Sequence, residues 1–227
     1  MEILGFAAGP LQTNCYVATG FHSDAAIEGE STPCVIIDPG MGAFEQLKAE
    51  CEKRGWVPEA VLLTHGHIDH TRDADSVAKH WDIPVYINSA DRHMIANPLV
   101  GAGRNLGAMF RASEMEVPED IRDLEGDDEL KFAGLAFQIL HAPGHSAGCL
   151  MLRTSDGADE VVFSGDVLFA GSIGRTDLPG ANHEDMMTSL REKVLPLDDD
   201  LMILPGHGPT STIGQERATN PYLAQVK

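Results

Sequence analysis

The segment at residues 64–70, which reads THGHIDH, constrains this chain more than any other. It places three histidines and an aspartate within six residues, directly after the apolar run at residues 61–63. That run predicts a short buried strand. The apolar residues that follow the motif repeat at helical spacing and predict a helix from Asp69 to Trp81. The cluster therefore lies at a strand-to-helix turn.

The predicted geometry of this turn offers donors for two metal ions. Residues two apart in an extended segment point the same way, so His65 and His67 can bind one cation. Asp69 and His70 lie where the chain begins to coil, and we expect them to point elsewhere. The N-terminus of the helix should also keep His70 neutral and able to bind a metal. The alternative is a polar turn whose histidines satisfy backbone groups, and four ligand-type residues around one glycine argue against it.

Three further apolar runs each end in a potential metal ligand beside a glycine: residues 143–145 (PGH), 164–166 (SGD) and 205–208 (PGHG). Ligands at strand ends lie on rigid elements, and glycines permit close approach around a shared site. With the first cluster, these segments supply seven candidate donors: His65, His67, Asp69, His70, His145, Asp166 and His207. Seven donors are too many for one tetrahedral zinc and suit two metals that share a carboxylate. A closed structural zinc site would usually include cysteine, and no cysteine lies with them.

Charge and composition exclude several classes of function. The formal net charge of −19 repels phosphate backbones and anionic membranes, so we expect neither a nucleic-acid partner nor a membrane partner. We find no basic leader and no apolar run of the roughly 18 residues that a membrane span needs. Four scattered cysteines predict small buried side chains rather than a disulfide scaffold. A cytoplasmic protein is the expectation that follows.

The rest of the chain predicts strands followed by helices, twice over, within a single domain covering residues 1–227. This order indicates an α/β fold of two packed sheets with helices outside. Helices are predicted at about residues 43–54 with Gly55 as the stop, from an N-cap at Ser89 to Ala96, and at about residues 183–195 with an N-cap at Asn182. Residues 21–32 predict an exposed hairpin loop. Residues 97–118, rich in Gly, Met and Arg, predict an irregular loop that either lines a pocket or is a surface excursion.

The motif order HxHxDH, Gly-His, Gly-Asp, Gly-His resembles the metallo-β-lactamase superfamily over nearly the whole chain. The resemblance implies an αββα sandwich of two mixed β-sheets, with helices on the outer faces and the metals at one edge of the sheets. It would place His65, His67 and His145 on one metal, Asp69, His70 and His207 on the other, and Asp166 as a bridge between them. We expect two divalent metal ions per chain, with zinc favoured and iron or manganese as alternatives.

Within the superfamily, residues 164–169, 174–177 and 204–209 resemble the short glyoxalase II-type hydrolases. This resemblance implies hydrolysis of an S-2-hydroxyacyl thiol, such as S-lactoylglutathione or an analogue on another small thiol, by a metal-bridging hydroxide. Asp69 would orient the hydroxide, and Arg175 would either hold a substrate carboxylate or pair with Asp177. The separate helical region that completes glutathione recognition in larger glyoxalase II enzymes is expected to be absent, because only about twenty residues follow His207.

Other members of the superfamily provide the alternatives. A persulfide dioxygenase-like enzyme would hold one iron with His65, His145 and Asp166. The best-known zinc β-lactamases carry a cysteine where Asp166 stands, which weakens that interpretation. A nuclease would want a basic groove, and a di-iron reductase typically has glutamate at the position of His67. The chain is expected to be a monomer or a homodimer.

Overall fold

The computed structural model describes residues 1–21 and 31–226, and two six-stranded sheets form its centre. In chain order the strands of the first sheet are β1 (Glu2–Ala8), β2 (Thr13–Thr19), β3 (Thr32–Ile37), β4 (Trp56–Leu62), β5 (Val85–Ile87) and β6 (Ile121–Asp123). Their spatial order is the same as their chain order. The strands from β1 to β3 pair antiparallel, and those from β3 to β6 pair parallel. The sheet is therefore mixed, as predicted.

The second sheet comes from the C-terminal half of the chain. Its strands are β7 (Glu129–Phe132), β8 (Leu135–His141), β9 (Leu150–Ser155), β10 (Glu160–Gly165), β13 (Met202–Pro205) and β14 (Ser211–Thr212). Between β10 and β13 the chain forms a separate small hairpin of β11 (Leu168–Phe169) and β12 (Ser172–Ile173). The spatial order is β14-β13-β10-β9-β8-β7, and only β10 and β13 pair parallel. This sheet is mixed as well.

The helices cover the outer faces of both sheets. They are α1 (Ala43–Arg54), α2 (Ile68–Thr71), α3 (Ala74–Trp81), α4 (Arg92–Ala96), α5 (Leu99–Met109), α6 (His183–Ser189), which continues as a π-helix over Leu190–Val194, and α7 (Ile213–Thr219). Among the described residues, single 3₁₀ turns lie at Ala112–Glu114 and Leu223–Gln225. No helix in the described part of the chain is long and apolar enough to cross a membrane.

Alternation along the buried strands separates three apolar layers. In β3, Cys34 and Ile36 pack toward α1 and α3, whereas Val35 and Ile37 pack between the two sheets. A third layer lies between the second sheet and the helices α6 and α7, and includes Met186. Side chains two apart in a strand share a face, so one apolar strand supplies two of these layers. The helix-sheet-sheet-helix order confirms the predicted αββα sandwich.

Several predicted elements are confirmed, and others are wrong. α1 ends at Gly55, whose positive φ of 67° suits a glycine, and the Asn182 side chain caps α6 by accepting hydrogen bonds from two backbone N–H groups. The four cysteines are buried and free. The predicted hairpin loop at residues 21–32 lies outside the described residues except at its ends. The prediction of one helix over residues 69–81 is wrong, because the helix is interrupted between α2 and α3. At this interruption the Asp73 carboxylate accepts hydrogen bonds from the backbone N–H groups of Gly42 and Phe44.

Two more predictions are wrong in the segment that connects β5 and β6. Residues 97–118 are not an irregular loop throughout, because α5 occupies Leu99–Met109. Glycines weaken its helical signal in the sequence, but Gly101 lies where a side chain would meet the His67 ring, since an added Cβ would be 2.5 Å from Cδ2. α4 begins at Arg92 after Asp91, so Ser89 is not its N-cap.

The first and last parts of the fold are joined at one edge. The Asn14 side chain donates 2.9 Å hydrogen bonds to the carbonyls of Pro205 and Gly208, and the Tyr16 hydroxyl donates to Pro205 at 2.8 Å. An isolated bridge also pairs Thr13 with His207. These contacts hold the loop after β13 against the N-terminal hairpin.

Candidate metal centre

All seven predicted donors lie together at one edge of the two sheets. Four follow β4, and the other three come from the loop after β8, the end of β10 and the loop after β13. Three sets of donor atoms each lie within 4.8 Å of one another: His65, His67 and His145; His65, His70 and Asp166; and Asp69, His70 and His207. Positions far apart in the chain thus converge as the strand-end pattern predicted.

The first group is a buried cluster of three histidines. His65, His67 and His145 are all at most 5% exposed. His67 Nδ1 lies 2.8 Å from His145 Nε2, and the rings of His65 and His67 are 4.8 Å apart at 87°. Neutral imidazoles at this spacing suit one divalent ion.

The second group is more open and contains a carboxylate. His207 Nε2 lies 3.2 Å, and His70 Nε2 3.6 Å, from Asp69 Oδ2. The His207 side chain is 24% exposed, whereas the His70 side chain is fully buried. This group is therefore more exposed than the first, although both groups contribute residues to the pocket wall.

Asp166 lies between the two groups. Its Oδ1 is 3.3 Å from His70 Nε2, and its Oδ2 is 3.3 Å from His145 Nε2 and 3.6 Å from His207 Nε2. One carboxylate therefore reaches donors of both groups with different oxygens.

Unpaired polar atoms indicate that the site fits cations. Five buried side-chain polar atoms in the described residues lack a hydrogen-bond partner, and four of them are His65 Nε2, His67 Nε2, His70 Nε2 and Asp166 Oδ1. Burying such atoms without a partner is costly, so their concentration at one point calls for an explanation. Divalent cations held by these residues would satisfy His65 Nε2, His70 Nε2 and Asp166 Oδ1. His67 faces His145 with Nδ1, so its Nε2 is directed toward Gly101 instead.

Hydrogen bonds behind the ligands set the orientation of the rings. Asp38 Oδ2 accepts from His70 Nδ1 at 2.9 Å and from Thr64 Oγ1 at 2.6 Å. The carbonyl of Arg175 accepts a 2.8 Å hydrogen bond from His145 Nδ1. The carbonyl of Leu11 accepts a 3.2 Å hydrogen bond from His207 Nδ1. Such partners direct the opposite ring nitrogen toward the metal.

Asp38 was not among the residues predicted for this site. The carboxylate is 2% exposed, and the backbone φ of Asp38 is 50°. A signal was present in the sequence, because Asp38 ends an apolar strand two residues before a glycine. The predicted ligands occupy comparable strand-end positions.

The electrostatics of the two groups differ. Burial lowers the pKa of His67 to about 4 and the pKa of His65 well below its usual value. Burial also acts on His70, but the Asp166, Asp69 and Asp38 carboxylates outweigh it and raise the pKa of His70 well above its usual value. For His207, hydrogen bonding to Asp69 and the charge of Asp166 likewise outweigh burial and raise the pKa. The predicted effect of the helix N-terminus on His70 is wrong, since α2 is only four residues long and three carboxylates face the ring.

A pocket of about 340 Å³ opens onto the ligands. Most of its wall is apolar and comes from α2, α5 with the residue that follows it, the β11–β12 hairpin and nearby loops: Leu11, Ile68, Leu106, Phe110, Phe169, Ile173 and Leu178. Residues 97–118 therefore line the pocket, which was one of the two predicted alternatives, although they do so as a helix.

Arg175 lines the pocket, and its guanidinium is paired with a carboxylate. Its guanidinium donates to both Asp177 oxygens, at 2.8 and 2.9 Å, and both side chains are exposed. The ion pair that was one predicted alternative is therefore formed. The Arg175 backbone has a second role, because its carbonyl accepts the hydrogen bond from His145 Nδ1.

An αββα sandwich with two adjoining metal-ligand groups and a shared aspartate at its edge defines a metal-dependent hydrolase class. The chain belongs to the metallo-beta-lactamase superfamily, whose sequence profile matches residues 8–207. This match confirms the family resemblance carried by the motifs.

Relatives that cover nearly the whole chain agree with this assignment. A protein of Bacillus subtilis named probable metallo-hydrolase YqgX is 37% identical over 95% of this chain and 94% of its own length. The hydroxyacylglutathione hydrolase GloC of Haemophilus influenzae is 35% identical over 98% of this chain and 97% of its own length. The similarity extends well beyond the ligand motifs.

Two solved structures share both sequence and fold. TTHA1623, described in a di-iron-bound form, is 37% identical with a TM-score of 0.76, covering 97% of this chain and all of its own. BLEG-1, described as a B3 metallo-beta-lactamase, is 35% identical with a TM-score of 0.82, covering 98% of this chain and 99% of its own.

Proposed function

We propose that the protein hydrolyses the thioester bond of S-2-hydroxyacyl thiols, such as S-lactoylglutathione or an analogue on another small thiol. The observation that carries this proposal is the completeness of the two ligand groups around Asp166, next to an apolar pocket. The name of the 35% identical relative from Haemophilus influenzae supports the choice of substrate.

His65, His67 and His145 would hold one divalent ion, and Asp69, His70 and His207 the other, with Asp166 between them. When bound, such a metal pair supplies Lewis acidity and an activated water. Zinc is the expected metal, and the di-iron form of the 37% identical TTHA1623 makes iron the main alternative.

The chain's own residues would position the reactants. Asp69 lines the pocket, and its Oδ2 accepts a 3.2 Å hydrogen bond from Thr13 Oγ1, so the carboxylate is held where it can accept a hydrogen bond from water. The apolar wall would exclude bulk water around the acyl carbon. A thiolate leaving group needs no strong acid, because a thiol has a pKa of about 8.5.

Arg175 would act at the rim of the pocket. Its exposed pair with Asp177 contributes little stability, as such pairs do, so a substrate carboxylate can take the place of Asp177. Arg175 is thus the group that we propose to hold the distal part of the substrate.

The test measures thiol release from S-lactoylglutathione by protein of known metal content, with dissolved oxygen recorded in the same cuvette. We expect release without oxygen uptake at about two metals per chain, the stoichiometry of two-metal hydrolases. His145→Ala is the inactive control. One iron per chain, with oxygen uptake on a persulfide and no thiol release, would favour the persulfide dioxygenase alternative instead.

A second candidate function is β-lactam hydrolysis, favoured by the similarity to BLEG-1. The same preparation should be assayed with a chromogenic cephalosporin at equal enzyme concentration. Turnover of the cephalosporin with no turnover of the thioester would replace the first proposal by the second.

A further inference from the structure

A buried carboxylate outside the ligand set contacts both loops of the first metal-ligand group. Asp91 has no measurable exposure. Its Oδ2 accepts a 2.9 Å hydrogen bond from the backbone N–H of Gly66 and a 2.5 Å bond from Ser146 Oγ, and its Oδ1 accepts a 2.8 Å bond from the backbone N–H of Gly148. Gly66 lies between His65 and His67, and Ser146 follows His145.

The position of Asp91 in its own element makes this arrangement unusual. Asp91 immediately precedes α4, where an aspartate commonly caps the first turn. Its side chain makes no capping hydrogen bond and is directed instead toward the two loops. The carboxylate therefore binds the two ligand-bearing loops and leaves α4 without a side-chain cap.

Close packing brings the two loops against Asp91 at two glycines. A Cβ added to Gly148 would lie 2.6 Å from Asp91 Cγ, and one added to Gly66 would lie 2.8 Å from the Asp91 carbonyl oxygen. Both loops thus approach Asp91 as closely as glycine allows. A shift of either loop would break a hydrogen bond to a buried charge, which is costly.

Hydrogen bonds from the two loops hold the Asp91 carboxylate within the described residues. The loop that carries His65 and His67 and the loop that carries His145 are therefore joined through this one side chain.

We propose that Asp91 is a positioning residue that sets the separation of His65 and His67 from His145 and thereby the affinity of the first group for its metal. The proposal concerns the metal centre alone and does not depend on the substrate. Failure of the thioester assay would leave it standing.

The experiment titrates metal-free protein with Co²⁺ and Zn²⁺ in two backgrounds. His207→Ala disrupts the second group and isolates the first, and His145→Ala does the reverse. In the His207→Ala background, Asp91→Asn should weaken Co²⁺ binding by about 10- to 100-fold and change its visible spectrum, because an amide cannot accept all three hydrogen bonds. In the His145→Ala background, the same change should leave affinity unaltered. Loss of affinity in both backgrounds equally, or in neither, would overturn the proposal.

Two further variants guard against a general effect on folding. Asp75→Asn changes another buried carboxylate, on α3, and should not alter metal binding. Ser146→Ala keeps Asp91 and its two backbone hydrogen bonds and removes one donor, so it should weaken Co²⁺ binding at the first group by roughly two- to tenfold. If Asp91→Asn does not fold, Ser146→Ala decides: weaker Co²⁺ binding in the His207→Ala background supports the proposal, and unchanged binding overturns it.

Discussion

Asp166 lies beside both ligand groups. Its two oxygens lie 3.3 Å from His70 Nε2 and His145 Nε2 respectively, and Oδ1 has no other partner within the described residues. Oδ2 also lies 3.6 Å from His207 Nε2, so this oxygen reaches donors of both groups. We therefore expect a metal in one group to affect the occupancy of the other.

Replacing Asp166 by alanine should reduce both metal content and activity. We expect the activity to fall by more than the roughly 10- to 100-fold typical of residues that only support a ligand. Metal analysis after dialysis and the thioester assay provide the measurement, and Asp177→Ala, which removes an exposed carboxylate at the rim, is the control for metal content. Full metal occupancy in Asp166→Ala would refute the bridging role.

The opposite pKa shifts within the centre predict a difference in pH dependence. His65 and His67 have lowered pKa values, about 4 for His67, so they bind metal near neutral pH without losing a proton. His70 and His207 have raised pKa values, so below those values a metal must displace a proton from each. Affinity at the second group should therefore fall as pH falls.

Co²⁺ titrations at pH 6, 7 and 8 test this difference. The His145→Ala protein, which retains the second group, should show the steeper loss toward pH 6. The His207→Ala protein, which retains the first, should show the shallower one. Equal slopes would contradict the assignment of the raised pKa values to His70 and His207.

At the scale of elements, α7 positions the small hairpin that forms one wall of the pocket. The buried Glu216 carboxylate accepts hydrogen bonds from the backbone N–H of Gly171 at 2.7 Å, from Ser211 Oγ at 2.6 Å and from Asn220 Nδ2 at 2.9 Å. Asn220 also donates to the carbonyl of Ser172 at 3.0 Å. The hairpin is thus held by hydrogen bonds to α7 and to the residue that follows this helix.

Glu216→Gln should raise KM for the thioester without lowering metal content. The amide keeps the size of the side chain but cannot accept all three hydrogen bonds, so the β11–β12 wall is less firmly held. The same substitution at the exposed Glu192 is the matched control. An unchanged KM would show that the hairpin does not contribute to binding.

The elements also show what sequence patterns can predict. Strand ends and ligands were predictable, because apolar runs that stop at a glycine and a donor reflect local geometry. α5 was not, because its glycines reduce helical propensity and its helical form depends on packing against α2, α4 and the His67 ring. The helix interruption before α3 was not predictable for a similar reason, because the Asp73 carboxylate accepts hydrogen bonds from backbone N–H groups at the start of α1, about 30 positions earlier in the chain. Asp91 had no local signal, because its hydrogen-bond partners come from other segments.

On the scale of the whole molecule, the metal centre joins two separately built sheets. The first sheet supplies the cluster after β4, and the second supplies His145, Asp166 and His207. A ligand that binds only the folded state stabilises that state by mass action. Metals at this edge should therefore stabilise the packing of one sheet on the other.

Removal of metal by a chelator should lower the melting temperature. A metal present at 100 times its dissociation constant adds about 2.7 kcal/mol, which corresponds to roughly 5–10 °C for a chain of this size. Differential scanning calorimetry with and without chelator gives the value, and Asp166→Ala should show a smaller shift. An equal shift in Asp166→Ala would place the stabilising ion elsewhere.

The contact between Asn14 and Pro205 spans 191 positions of the chain. While the protein is being synthesised, the first sheet can form before the segment after β13 has left the ribosome. The second group therefore cannot be assembled before the segment after β13 has docked against the N-terminal hairpin, where Thr13 pairs with His207. The first group also needs more than its three histidines, because His145 is oriented by the carbonyl of Arg175, 30 positions further along the chain.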